Sequence, residues 1–172
     1  MKILSNILLI IFFTGIIFGI SCKKPETYPV VPYIEFVSFT KTPTTSGIDS
    51  KGILTFSFTD GDGDIGLADS DTLSPYNPGS KFYYDLFITY YRKHNGVFLA
   101  DSLPMTNNSR IPVVTPSGQN KSIKGDIDVD LFINNPRPQV KYDTIYFEVQ
   151  IADRALNLSN TIKTSEIIVK KQ

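Results

Sequence analysis

Five aspartates and three glycines crowd the segment Thr59-Asp60-Gly61-Asp62-Gly63-Asp64-Ile65-Gly66-Leu67-Ala68-Asp69-Ser70-Asp71. Asp60, Asp62 and Asp64 recur at every second residue, and the glycines between them permit the curvature that turns alternate carboxylates around one ion. Calcium takes about six to eight oxygen ligands, and this alternation supplies the first three in calcium loops of about twelve residues. Counted from Asp60, the backbone carbonyl at the seventh position falls on Gly66 and the twelfth position on Asp71. Asp60, Asp62, Asp64, Gly66 and Asp71 are therefore the candidate Ca2+ ligands. Ile65 stands where such loops place glycine, and Asp71 is shorter than the bidentate glutamate they end on. Two other readings stay open on these residues. Asp-Gly pairs suit any turn needing positive φ, which makes the segment a solvated acidic turn. Its charge also suits a basic or sugar ligand.

The second chemical candidate is Cys22, the only cysteine. Met1-Lys2 precedes an apolar run from Ile7 to Ile20, and Gly19-Ile20-Ser21-Cys22 closes it before Lys23-Lys24-Pro25. A positive start, a short apolar stretch and small residues before a cut describe a secretory signal peptide over residues 1–21. The cysteine at the cut resembles the lipobox of bacterial lipoproteins, which implies a diacylglycerol thioether and an N-acyl chain on Cys22. Gly19 departs from that pattern, which usually has Leu, Val or Ile there. Three acyl chains anchor a protein far more firmly than one. A membrane-spanning helix is the competing reading, but the run sits at the lower limit of the roughly 20 apolar residues a span needs. Lys23 is not the aspartate associated with inner-membrane retention, so the resemblance implies the outer membrane, in either leaflet.

The rest of the chain argues against catalysis. His94 is the only histidine and sits in Arg92-Lys93-His94-Asn95-Gly96, a hairpin tip. With no second histidine and no mature free cysteine, the usual zinc sites cannot be assembled. Nucleophile-elbow, phosphate-loop and dinucleotide motifs do not occur. The one enzymatic alternative is a glycan-active hydrolase, since two carboxylates could meet across a fold. Acidic and basic residues balance at 17 each, leaving no basic excess to neutralise a phosphate backbone, so nucleic acid is not an expected partner.

These residues must be positioned by strands. The chain has 9 Tyr, 12 Phe and no Trp, an aromatic-rich composition suited to sheets. After the tether of residues 22–32, whose three prolines impose extended backbone, no sustained 3.6-residue period appears. Seven alternating runs predict strands over Tyr33–Thr40, Leu54–Phe58, Phe82–Arg92, Val97–Ser102, Asp126–Ile133, Ile145–Ile151 and Ile162–Lys170. Asp126, Asp128 and Asp130 share one face of the fifth, as a solvated sheet face would. Seven short strands without helices predict an all-β, immunoglobulin-like antiparallel sandwich over residues 33–172.

Several resemblances accompany this reading. Thr144-Ile145-Tyr146-Phe147-Glu148-Val149-Gln150-Ile151-Ala152-Asp153 and the following Arg154-Ala155-Leu156-Asn157-Leu158-Ser159-Asn160 resemble the last hairpin of fibronectin type III domains. Leu156 stands where glycine is common, and parity puts Tyr146 on the polar face rather than inward. The acidic loop is similar to those of thrombospondin type 3 repeats. Phe56-Ser57-Phe58-Thr59-Asp60-Gly61-Asp62-Gly63-Asp64-Ile65-Gly66 resembles a signature of uncharacterised lipoproteins from Bacteroidota. Asp71-Thr72-Leu73 and Asp101-Ser102-Leu103 resemble the O-glycosylation acceptors of those bacteria, which implies Thr72 and Ser102 as modification sites. Together they imply a lipid-anchored cell-envelope protein with a non-catalytic structural or binding sandwich. The alternative is a glycan- or protein-binding component of an outer-membrane uptake system; Tyr76, Tyr83, Tyr84, Tyr90 and Tyr91 could line a carbohydrate platform for it, although most of them read better as core and cross-strand packing.

Overall fold

Period-two alternation sorts each strand into an inward and an outward face, and two sheets close over the inward ones. A computed structural model describes residues 26–42, 44–114, 121–134 and 141–171. Its strands are β1 (Tyr33–Lys41), β2 (Lys51–Asp60), β3 (Leu86–His94), β4 (Val97–Ala100), β5 (Ile123–Phe132), β6 (Tyr142–Ile151), β7 (Ile162–Lys163) and β8 (Ile167–Lys170). One sheet has the order β1-β2-β5; the other runs β4-β3-β6-β7, with β8 also on β6. Every pairing between these strands is antiparallel. The connections from β2 to β3 and from β4 to β5 pass between sheets, as in immunoglobulin-like sandwiches. The all-β sandwich expected from the alternation is the fold observed.

Leu54, Phe56 and Phe58 of β2 face Ile145, Phe147, Val149 and Ile151 of β6 across the seam, all of them buried. Phe147 is central, with the Tyr90 ring at 5.7 Å and the Phe39 ring at 6.2 Å. Tyr146 faces out, as its parity requires, and stacks on Tyr91 at 4.7 Å with a 9° interplanar angle. Asp126, Asp128 and Asp130 are exposed on the outer face of β5.

Strand boundaries differ from expectation where side chains replace the ladder. The run expected over Ile162–Lys170 splits into β7 and β8. Between them the buried Thr164 hydroxyl accepts from the Phe147 amide at 3.1 Å, and the Thr164 amide donates back to the Phe147 carbonyl at 3.0 Å. The third strand begins at Leu86 rather than Phe82. Asp85 ends the preceding turn, and its carboxylate accepts from the Ile111 amide at 2.7 Å.

The register places the acidic loop. Tyr33 opposes Thr59, Ile123 opposes Asp60, and Leu86 opposes Ile151. Hence β2 and β6 finish, and β1 begins, at the same end of the sandwich. The described part of the tether crosses this end: a Cβ at Gly61 would lie 2.4 Å from the Tyr28 carbonyl oxygen. The Tyr28 amide also donates to the Ser122 hydroxyl, which in turn donates to the Gly61 carbonyl.

Truncating Phe147→Ala should cost about 3–5 kcal/mol of unfolding free energy in urea titrations, as for large buried aromatics generally. Tyr146→Ala, one residue away on the outer face, should cost clearly less. Equal losses would contradict the assigned facing of β6.

Candidate metal centre

Asp60 is the last residue of β2 and continues its inward parity, so its carboxylate is fully buried. The chain then turns back at once. The amides of Gly63 and Asp64 donate to Asp60 Oδ2 at 2.7 and 3.1 Å, and Gly63 adopts a φ of 68° that favours glycine. This turn brings Asp64 beside Asp60 and leaves Asp62 exposed at its tip. Beyond it, Ile65 is buried and forms an isolated bridge with Asp153. The Arg154 amide donates to the Asp64 carbonyl at 3.2 Å, and the Ala155 amide donates to Asp64 Oδ2 at 3.1 Å.

The consequence is a three-carboxylate cluster different from the one that linear spacing suggests. Asp60, Asp64 and Asp153 each offer a carboxylate oxygen, and the three oxygens lie within 4.8 Å of one another. Asp60 Oδ1 and Asp64 Oδ1 are buried and lack a hydrogen-bond partner. Asp153 is 2% exposed; its two oxygens accept from the Asn157 amide at 2.7 Å and from Asn157 Nδ2 at 2.8 Å. Leu156, in the glycine-favouring position of that turn, has a φ of 69°, a conformation that costs about 1–2 kcal/mol for a side chain with a Cβ.

Of the five residues expected from spacing, only Asp60 and Asp64 enter this cluster. Gly66 has a φ of 100°, and a Cβ there would sit 2.3 Å from the Pro112 carbonyl oxygen. Its own carbonyl accepts from the Arg154 guanidinium at 3.3 Å. Asp71 also belongs to Arg154, which reaches its two oxygens at 2.7 and 3.3 Å. That pairing and the Ala68 amide hold the Asp71 carboxyl below the usual carboxylate range. The every-second-residue count fails because the Asp60 side chain captures two loop amides and shortens the arc. Asp153 was missed because it lies far along the chain, although its parity was readable: it continues the buried odd-numbered face of β6.

Burial pushes the Asp60 carboxyl up to about 6, against the hydrogen bonds from Asp64 and Gly63; the charges of Asp62 and Asp153 push the same way. Burial likewise lifts Asp64 to about 6, with further repulsion from Asp153, Asp62 and Asp60. Oxygen donors in a buried, mutually repelling set are the chemistry a hard divalent cation satisfies. Among the described residues, no histidine or cysteine joins the cluster, and His94 is exposed at the opposite end, as the last residue of β3.

The other sequence candidates separate in space. Thr72 and Ser102 are both exposed in loops. Cys22 and the apolar run before it lie outside the described residues. Among the described residues, no helix is long and apolar enough to cross a membrane. Tyr90 is core, whereas Tyr91, Tyr146 and Phe98 form an outer-face cluster. Compared with protein-family models, curated proteins and solved structures, the chain matches none.

The raised carboxyls set a pH dependence for metal-free protein. Asp60 and Asp64 hold protons in the folded state that the unfolded chain releases near 3.8. Their contribution is full below that value and is lost as pH rises through about 6. In chelator, Asp60→Asn should therefore gain melting temperature relative to the parent on going from pH 4 to pH 7. A constant difference would show that Asp60 ionises as an ordinary carboxylate. Independently, Gly66→Ala should destabilise the fold at every pH, because both its φ and Pro112 oppose a side chain.

Proposed function

We propose that the protein is a lipid-anchored envelope module: a non-catalytic β-sandwich carried on Cys22 at an outer membrane, with calcium bound in its acidic loop. The observation that carries the calcium reading is the pair of buried, unpartnered oxygens on Asp60 and Asp64. The leader-like run ending at Cys22 supports the anchor, and its pattern is similar to lipoproteins from Bacteroidota. Tether and acidic loop share one end of the sandwich, since Tyr28 and Pro29 pack over Gly61. An anchor at Cys22 would therefore hold the acidic end toward the lipid and present the β3–β4 turn and Lys171 away from it. A cation at that end would stiffen the joint between tether and domain.

A second reading, a glycan- or protein-binding component of an uptake system, is favoured by the outer-face aromatics. Tyr91 stacks on Tyr146, Phe98 packs edge-on against it, and Lys93 and Lys163 lie over Phe98 and Tyr146 at 5.0 and 5.2 Å. Aromatic faces beside cations suit sugar rings or anionic peptide groups.

Adding millimolar calcium to chelator-treated protein should raise its melting temperature by several degrees; no rise would remove calcium from the assignment. Cys22→Ser should abolish incorporation of labelled fatty acid and shift the protein from the membrane to the soluble fraction. Unchanged labelling would reject the anchor. If the aromatic face binds glycans, Tyr91→Ala with Tyr146→Ala should abolish retention on a polysaccharide matrix without changing the calcium response.

A further inference from the structure

The acidic loop does more than gather charge within itself, because one member of the cluster comes from the opposite sheet. We propose that a calcium ion is coordinated jointly by Asp60 and Asp64 of the β2 loop and by Asp153 beyond β6, fastening the two sheets together at the tether end. This rests on the calcium reading of the loop and extends it to a residue that the loop does not contain.

Three observations converge on the joint site. First, the spacing is within reach of a single ion. Calcium–oxygen bonds of about 2.3–2.6 Å allow two ligands of one ion to lie up to about 5 Å apart, and the three carboxylates offer oxygens within 4.8 Å of one another. Second, the oxygens are held ready. Asp60 spends Oδ2 on the Gly63 and Asp64 amides, and Asp64 spends Oδ2 on the Ala155 amide, which leaves both Oδ1 atoms buried and without partners. Asp60 is wholly buried, and an unpartnered carboxylate oxygen in the interior is costly unless something neutralises it. Third, the cation adjacent in sequence is committed elsewhere. Arg154 follows Asp153 directly, yet its guanidinium engages Asp71 and the Gly66 carbonyl.

The chemistry selects the ion. Three carboxylates, with no histidine or cysteine donor among the described residues, favour a hard cation over zinc or copper. Calcium tolerates irregular oxygen cages, whereas magnesium demands a near-octahedral one and keeps several waters. Backbone contacts already sew the same two segments together: Ile65 bridges Asp153, and the Arg154 amide donates to the Asp64 carbonyl. The ion would sit among those contacts and take the place a disulfide cannot fill, since Cys22 is the only cysteine.

The test uses the full chain in detergent, stripped with chelator and titrated with calcium by calorimetry. The parent should bind one ion, Asp153→Asn should bind at least tenfold more weakly, and Asp62→Asn should bind within about twofold of the parent. Hydrogen exchange on the parent gives a readout that does not depend on the variant folding. Calcium should protect amides of the loop at 63–68 and, together with them, those of the turn at 153–159. No calcium binding by the parent would overturn the calcium reading itself, and this proposal with it. Binding with an unaltered Asp153→Asn affinity, or protection confined to the loop, would leave that reading standing and overturn the cross-sheet site.

Discussion

The structure depends on burying one face of β2 against one face of β6 without a disulfide between the sheets. Leu54, Phe56 and Phe58 on one side, and Ile145, Phe147, Val149 and Ile151 on the other, supply that contact. Both β2 and β6 keep strict alternation, so the register that buries these residues also determines where every polar neighbour falls. A one-residue slip would exchange the two faces along the whole strand. The loops depend on this seam, because their ends are held at separations the sheets dictate.

The seam also explains why acidic groups are buried at both ends. Asp60 and Asp153 occupy the positions after the last apolar inward residues of β2 and β6, where the next inward place lies at the rim of the core. At the other end, Asp143 takes the corresponding rim place at the start of β6 and is paired with the buried Lys171. The ends are thus treated differently. A lysine neutralises the carboxylate at one, while at the other three carboxylates converge and Arg154 is drawn off by Asp71. Asp85 is a third solution: buried and pushed up to about 6 mainly by burial, it gives one oxygen to the Ile111 amide.

Much of this was legible in the chain, and the exceptions share a cause. Period-two runs located the strands because burial on one face imposes that period whatever the partner strand is. The boundary at Phe82 shifted and the run from Ile162 to Lys170 split, because Asp85 and Thr164 bond to distant backbone and their side chains interrupt the ladder. The acidic segment was conspicuous, yet its geometry was not that of evenly spaced ligands. Asp60 captures the Gly63 and Asp64 amides, so Asp62 swings outward and Asp71 turns to Arg154. Asp153 carried a readable mark, a carboxylate at inward parity, but nothing local said what it would meet.

The sequence by itself determined which faces are apolar, that the architecture is all-β, and which carboxylates stand at inward strand positions. Those properties are set by neighbours one or two residues away. Only the tertiary structure decided that Asp60 and Asp64 meet Asp153, that Arg154 serves Asp71, and that the tether passes over Gly61. Each of these joins segments far apart in the chain, and their proximity follows from how two twisted sheets pack rather than from local spacing.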